Sequence, residues 1–123
     1  MSRRVVAVVD DMFFASKIRA VAEAVGVEIS FPRSKEALIE KAREAQLILV
    51  DLHNEKIDPV ALATELKADE QFARIPLVGF FSHVEVELQR RALAAGFDQV
   101  LPRSAFSRDL PKILNTNLSD GGR

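Results

Sequence analysis

The chain has 123 residues, 48% hydrophobic and 28% charged, which suits one globular domain with a real core. Its 17 basic and 18 acidic side chains leave a net charge of −1, without the basic excess of a nucleic-acid-binding domain. There is no cysteine, which excludes disulfides and thiol catalysis, and no apolar stretch approaches membrane-spanning length. Met1-Ser2-Arg3-Arg4 runs straight into an apolar segment with no signal-peptide core, so the expected location is the cytoplasm, with neither nucleic acid nor membrane as partner.

Strand and helix patterns alternate along the chain. Val5 to Val9 is a short aliphatic run that reads as a buried parallel strand over 4–9 and ends in Asp10-Asp11. A helix over 12–25 follows, with Phe14, Ile18, Val21, Ala22 and Val25 at helical spacing and Gly26 as its C′ residue. Phe13 and Phe14 are consecutive, so they cannot both face the core, and one is expected at the surface beside the acidic pair. A second strand over 27–31 leads to a helix over 34–45 with Ser34 as N-cap. Leu47 to Val50 open a third buried strand over 47–51 that ends in Asp51.

Asp58-Pro59 opens a third helix, ending near Ala68, with Asp as N-cap and Pro at the first helical position. A fourth strand spans 76–81. Ser82-His83-Val84-Glu85 has the spacing of a capping box, which predicts Ser82 as N-cap and His83 as an exposed first-turn residue of helix four. That helix ends at Ala95, with Gly96 as its cap; a strand over 98–101 and a helix over 104–116 complete a single domain over 1–116. The polar tail, 117–123, is expected to fray.

Five strand–helix units imply right-handed crossovers and an α/β fold: a doubly wound, flavodoxin-like parallel sheet with helices on both faces. The order 2-1-3-4-5 puts the reversal between strands one and three, where Asp10, Asp11 and Asp51 stand. Three clustered carboxylates repel and call for a proton or a cation. Oxygen donors favour a hard ion such as Mg²⁺.

The paired aspartates, the single Asp51, Ile75-Pro76 opening strand four and Ala94-Ala95-Gly96-Phe97-Asp98 before strand five resemble a response-regulator receiver domain over nearly the full length. The resemblance implies that Asp51 accepts a phosphoryl group from a histidine kinase or phosphotransfer protein. It also implies that Asp10 and Asp11, with Asp51 and the backbone carbonyl of His53, hold a weakly bound Mg²⁺. The chemistry agrees, because a metal neutralises charge on transferring phosphoryl oxygens. A stand-alone receiver without a fused output domain is the expectation, so output would pass to a downstream protein.

The chain departs from the family pattern at defined positions. Phe81 stands where receivers carry a hydroxyl residue, and Ser82, one position later, is the candidate substitute. Arg103 stands where they carry a Lys; it keeps the charge and can grip phosphate with a planar fork. Ser104 replaces a proline that commonly follows a cis bond, so a trans path is expected. Val100 replaces an aromatic that swings inward on activation. These changes support a second reading, a phosphorylation-independent pseudo-receiver acting as a protein-interaction module.

His53 could ligate a metal through its ring, but no second His or Cys stands at ligand spacing, and this role is set aside. Asp51-Leu52-His53 superficially matches a cobalamin-binding motif, but Lys56 occupies its Gly position and the motif follows the wrong strand. Met12-Phe13-Phe14 is unlike a flavin phosphate loop. Glu87, Arg90, Arg91 and Phe106 are candidates for a partner surface, and dimerisation through helix four and strand five is left open. No nucleophile–base pair marks an independent enzyme.

Overall fold

The computed structural model describes residues 3–115; the expected fraying tail, 117–123, and the expected domain end at residue 116 lie outside them. Strands β1 (Arg3–Val8), β2 (Val27–Ser30), β3 (Leu47–Asp51), β4 (Leu77–Phe81) and β5 (Gln99–Pro102) form one sheet, every pairing parallel, in the order β2-β1-β3-β4-β5. The expected topology is therefore the observed one. Among the described residues no helix is long and apolar enough to cross a membrane.

Strand periodicity builds two cores from one sheet. Val6, Val8, Ile48, Val50, Leu77 and Phe81 face one side, against helices α2 (Lys35–Ala42), α3 (Pro59–Ala68) and α4 (Val86–Ala95). Val5, Ala7, Leu47, Leu49, Val78 and Phe80 face the other, against α1 (Met12–Ala24), α5 (Arg103–Arg108) and α6 (Leu110–Leu114). A strand buried on both faces has no polar position to offer, which is why these runs lack alternation.

Local chemistry sets the helix ends. Ser34 caps α2 through Ala37 N–H, and Asp58 caps α3 through Val60 and Ala61 N–H with Pro59 behind it. The helix expected to reach residue 45 stops at Ala42, and Glu44 and Ala45 continue it only with tightened bonds to the carbonyls of Lys41 and Ala42. The single helix expected over 104–116 is two short helices broken at Asp109. Pro111 supplies no N–H for the carbonyl four residues back and sits instead in the first turn of α6.

The capping box expected at Ser82 is not formed. Helix α4 begins at Val86, with Glu85 at its N-cap position making no side-chain cap bond, so residues 82–85 are a free-standing loop. The other end of α4 is as expected: Gly96 has φ +123°, and a Cβ there would lie 2.5 Å from Lys67 Cγ. That lysine is immobilised, because its Nζ donates to the Ala73 and Ile75 carbonyls and to Asp98. Gly26 has φ +76° with open space around it. Gly96→Ala is therefore expected to destabilise the fold by roughly 2 kcal/mol and Gly26→Ala by only about 1 kcal/mol, read from urea unfolding midpoints; equal losses would mean that Lys67 moves aside freely.

Candidate functional site

All five strands point the same way, so the loops after β1, β3, β4 and β5 meet at one end of the sheet. Asp11 enters the site as the N-cap of α1. Its Oδ1 accepts from Phe13 N–H at 3.0 Å and Phe14 N–H at 3.1 Å, satisfying two of the helix's free donors. Its Oδ2 accepts from Arg103 Nη2 at 2.8 Å, bridging the loop after β1 to the start of α5. The Arg103 hydrogen bond, followed by the Phe14 N–H, holds the Asp11 carboxyl below the usual carboxylate range.

Arg103 is held from below as well. Its guanidinium carbon lies 3.8 Å from the centroid of the Phe14 ring, a cation–π arrangement. Phe14 in turn packs against Phe80 and Phe106, with centroids 5.1 and 5.9 Å away, and those two rings stack at 4.5 Å. Phe14 is thus buried and Phe13 is 88% exposed, resolving the consecutive pair. Phe106, expected on a partner surface, is completely buried, because its ring completes this aromatic stack. Glu87, Arg90 and Arg91 do lie exposed on α4, with Glu87 and Arg90 paired along the helix.

Asp51 ends β3 half-buried, and burial pushes its carboxyl above the usual range. The His53 N–H, donating to Oδ1 at 2.9 Å, and the positive charge of Arg103 oppose the shift, whereas the charge of Asp10 adds to it. Asp10 is exposed on the loop after β1. Asp10 and Asp51 therefore share one electrostatic environment, while both oxygens of Asp11 are engaged by protein groups. Oxygen donors of this kind suit a hard cation, but a cation would have to compete with Arg103 for Asp11. Among the described residues the expected convergence of Asp10, Asp11 and Asp51 is not formed, since their carboxylates do not make a group with ligand atoms within 4.8 Å of one another.

The altered positions occupy distinct environments. Phe81 is buried in the core on the α3–α4 side and offers no hydroxyl, and Val100 packs partly buried against the same core. Ser82 and Ser104 border a cleft of about 600 Å³ that also includes Asp11, Phe81 and Arg103. Ser82 is free of any capping duty. No peptide bond among the described residues is cis, so the Arg103–Ser104 link follows the expected trans path.

One grouping escaped the sequence reading. His83 is not a helix residue but part of the 82–85 loop, and its ring centroid lies 4.5 Å from that of His53. Glu85 Oε2 lies 3.5 Å from His53 Nδ1. His53 and His83 each stand two residues beyond the last residue of neighbouring parallel strands, a regularity visible only once β3 and β4 are known to be adjacent.

No family model matches the chain, and no curated protein matches it in sequence. Solved structures do match in fold. The receiver domain of a signal-transduction histidine kinase from Syntrophus aciditrophicus superposes with a TM-score of 0.83 at 19% identity, covering 99% of this chain and 94% of that one. A CheY-like receiver domain protein from Methanospirillum hungatei gives 0.79 at 17% identity, covering 98% and 100%. The receiver domain of a sensor histidine kinase from Pseudomonas aeruginosa, with a magnesium ion coordinated in its active-site cleft, gives 0.75 at 17% identity, covering 94% and 100%. The described chain therefore has the flavodoxin-like fold of response-regulator receiver domains.

Proposed function

We propose that this chain is an atypical receiver in a phosphorelay, with Asp51 as the phospho-acceptor. The observation that carries the reading is the place of Asp51: a half-buried carboxylate at the end of β3, where the loops after β1, β4 and β5 meet and where the charges of Arg103 and Asp10 act on it. Asp51 Oδ1 is occupied by the His53 N–H, which leaves Oδ2 as the attacking oxygen. In the transfer, Oδ2 forms a bond to phosphorus as the phosphorus–nitrogen bond of a donor phosphohistidine breaks, and the donor imidazole leaves and takes up a proton.

Asp10, Asp11, Asp51 and the His53 carbonyl would hold Mg²⁺, which supplies charge neutralisation to the phosphoryl oxygens. This chain's own residues do the rest. Arg103 exchanges Asp11 for a phosphoryl oxygen, and Ser82 offers the hydroxyl that Phe81 lacks. Partners are then a histidine kinase or phosphotransfer protein and a downstream protein that reads the altered loop; the domain is a signalling component and not an independent enzyme.

A second reading has a specific observation behind it. Arg103 and Asp11, both candidates for contact with phosphate or metal, are paired with one another, which suits a phosphorylation-independent interaction module. Intact-mass measurement after incubation with acetyl phosphate and Mg²⁺ separates the two. One phosphoryl adduct on the wild type and none on Asp51→Asn is the expected outcome; no adduct on folded, Mg²⁺-saturated protein selects the module.

Two further outcomes follow from the same geometry. Arg103→Ala frees Asp11 Oδ2 and is expected to raise Mg²⁺ affinity several-fold in a calorimetric titration, whereas an unchanged affinity would show that Asp11 is not a ligand. Because the folded pKa of Asp51 is raised, its ionised form opposes folding: the stability it contributes is full below its unfolded pKa and is lost as pH rises through the folded value. Asp51→Asn is therefore expected to raise the melting temperature at neutral pH, with the advantage shrinking as the pH is lowered into the carboxylate range.

A further inference from the structure

Outside the acidic pocket, the most unusual chemistry on this surface is the imidazole pair with its carboxylate. We infer that His53, His83 and Glu85 form a binding site for a transition-metal ion of the Zn²⁺ class, separate from the all-oxygen pocket of Asp10, Asp11 and Asp51.

Geometry is the first support. One potential ligand atom from each of the three residues lies within 4.8 Å of the other two. A tetrahedral site with bonds of about 2.0–2.2 Å places its ligand atoms about 3.3–3.6 Å apart. The His53 Nδ1–Glu85 Oε2 separation of 3.5 Å already meets that spacing. The remaining gap lies at His83 and Glu85, which are exposed and belong to a loop outside regular structure.

The state of the ring nitrogens is the second. His53 Nε2 is buried without a hydrogen-bond partner, and Nδ1 faces a carboxylate. A buried imidazole normally has its tautomer set by a hydrogen bond at one nitrogen. With Nε2 enclosed, Nδ1 on the Glu85 side is the ring nitrogen available to a metal. The loop supplies the third argument. Glu85 occupies the N-cap position of α4 yet leaves its capping role unfilled, and its carboxylate lies beside His53 instead.

Donor chemistry decides the ion. Two imidazoles and a carboxylate favour Zn²⁺ and its neighbours in the first transition row, with a fourth position left for water. Mg²⁺ prefers oxygen ligands and is weakly served by imidazole. The two sites therefore sort metals by softness although His53 takes part in both surroundings. Its ring faces the loop after β4, while its N–H donates to Asp51 Oδ1. An ion at the three side chains would tie the loop after β3 to the loop after β4, next to the phospho-acceptor candidate. The binding site itself does not rest on Asp51 chemistry.

The test is a calorimetric titration of the full chain with Zn²⁺ in the presence of millimolar Mg²⁺, repeated on His83→Ala, Glu85→Gln and Asp10→Asn. The absorption spectrum of added Co²⁺ gives the coordination number independently. One Zn²⁺ per chain is expected, weakened about tenfold or more by His83→Ala and by Glu85→Gln and unchanged by Asp10→Asn, with the intense visible bands of four-coordinate Co²⁺. Zn²⁺ binding that survives both loop substitutions, or that is lost with Asp10→Asn, would place the ion in the acidic pocket and overturn the inference. So would an absence of binding below millimolar Zn²⁺. Both loop substitutions are at exposed positions, and matching urea midpoints would verify that the variants remain folded.

Discussion

The carboxylate of Asp11 serves two structural ends, and much of the site is arranged around it. One oxygen closes the first turn of α1, and the other anchors Arg103 from the opposite edge of the site. Helix capping and a charged hydrogen bond both favour the ionised form, which is why this carboxyl is held low while Asp51 nearby is held high. Two acids on the same end of one sheet are driven apart by unequal access to donors. Asp11 has two backbone N–H groups and a guanidinium; Asp51 has one N–H and a more buried setting.

Arg103 could not hold this position on charge alone. A long side chain half-exposed to water loses rotamer freedom when it is fixed, and exposed ion pairs contribute little. The Phe14 ring beneath the guanidinium, backed by Phe80 and Phe106, supplies a flat apolar floor on which the planar group rests. A lysine would use the same floor less well, because its charge is a compact, strongly hydrated point. Arg103 and the aromatic stack are thus parts of one arrangement.

At β4 and β5 the chain relies on packing. Phe81 and Val100 extend the core on the α3–α4 side, where a hydroxyl and a larger aromatic would make different contacts. Apolar packing is non-directional and responds weakly to a charge arriving at a neighbouring position. A response to such a charge would have to travel through the polar groups still lining the cleft, chiefly Arg103 and Ser82, and through the loop that carries His83 and Glu85. That loop is long because α4 starts at Val86, leaving residues 82–85 outside the helix.

The strands, their order and the acidic end of the sheet were legible in the chain itself, because doubly buried parallel strands admit only unbroken aliphatic runs and aspartates interrupt them sharply. Asp58-Pro59, Ser34 and Gly96 marked helix ends for the same local reason: each meets a stereochemical demand within a few residues. Local rules misled where two of them competed. Ser82 and Glu85 have capping-box spacing, but the helix begins four residues later, and the carboxylate that would have served the cap lies beside His53. Phe106 lies close to Arg103 in sequence yet turns inward to an aromatic stack whose other members are distant in sequence. The partner of Arg103 and the meeting of His53 with His83 were decided only by tertiary structure. They join residues from different crossovers, and no periodicity or spacing within one segment encodes which loops the parallel register brings side by side.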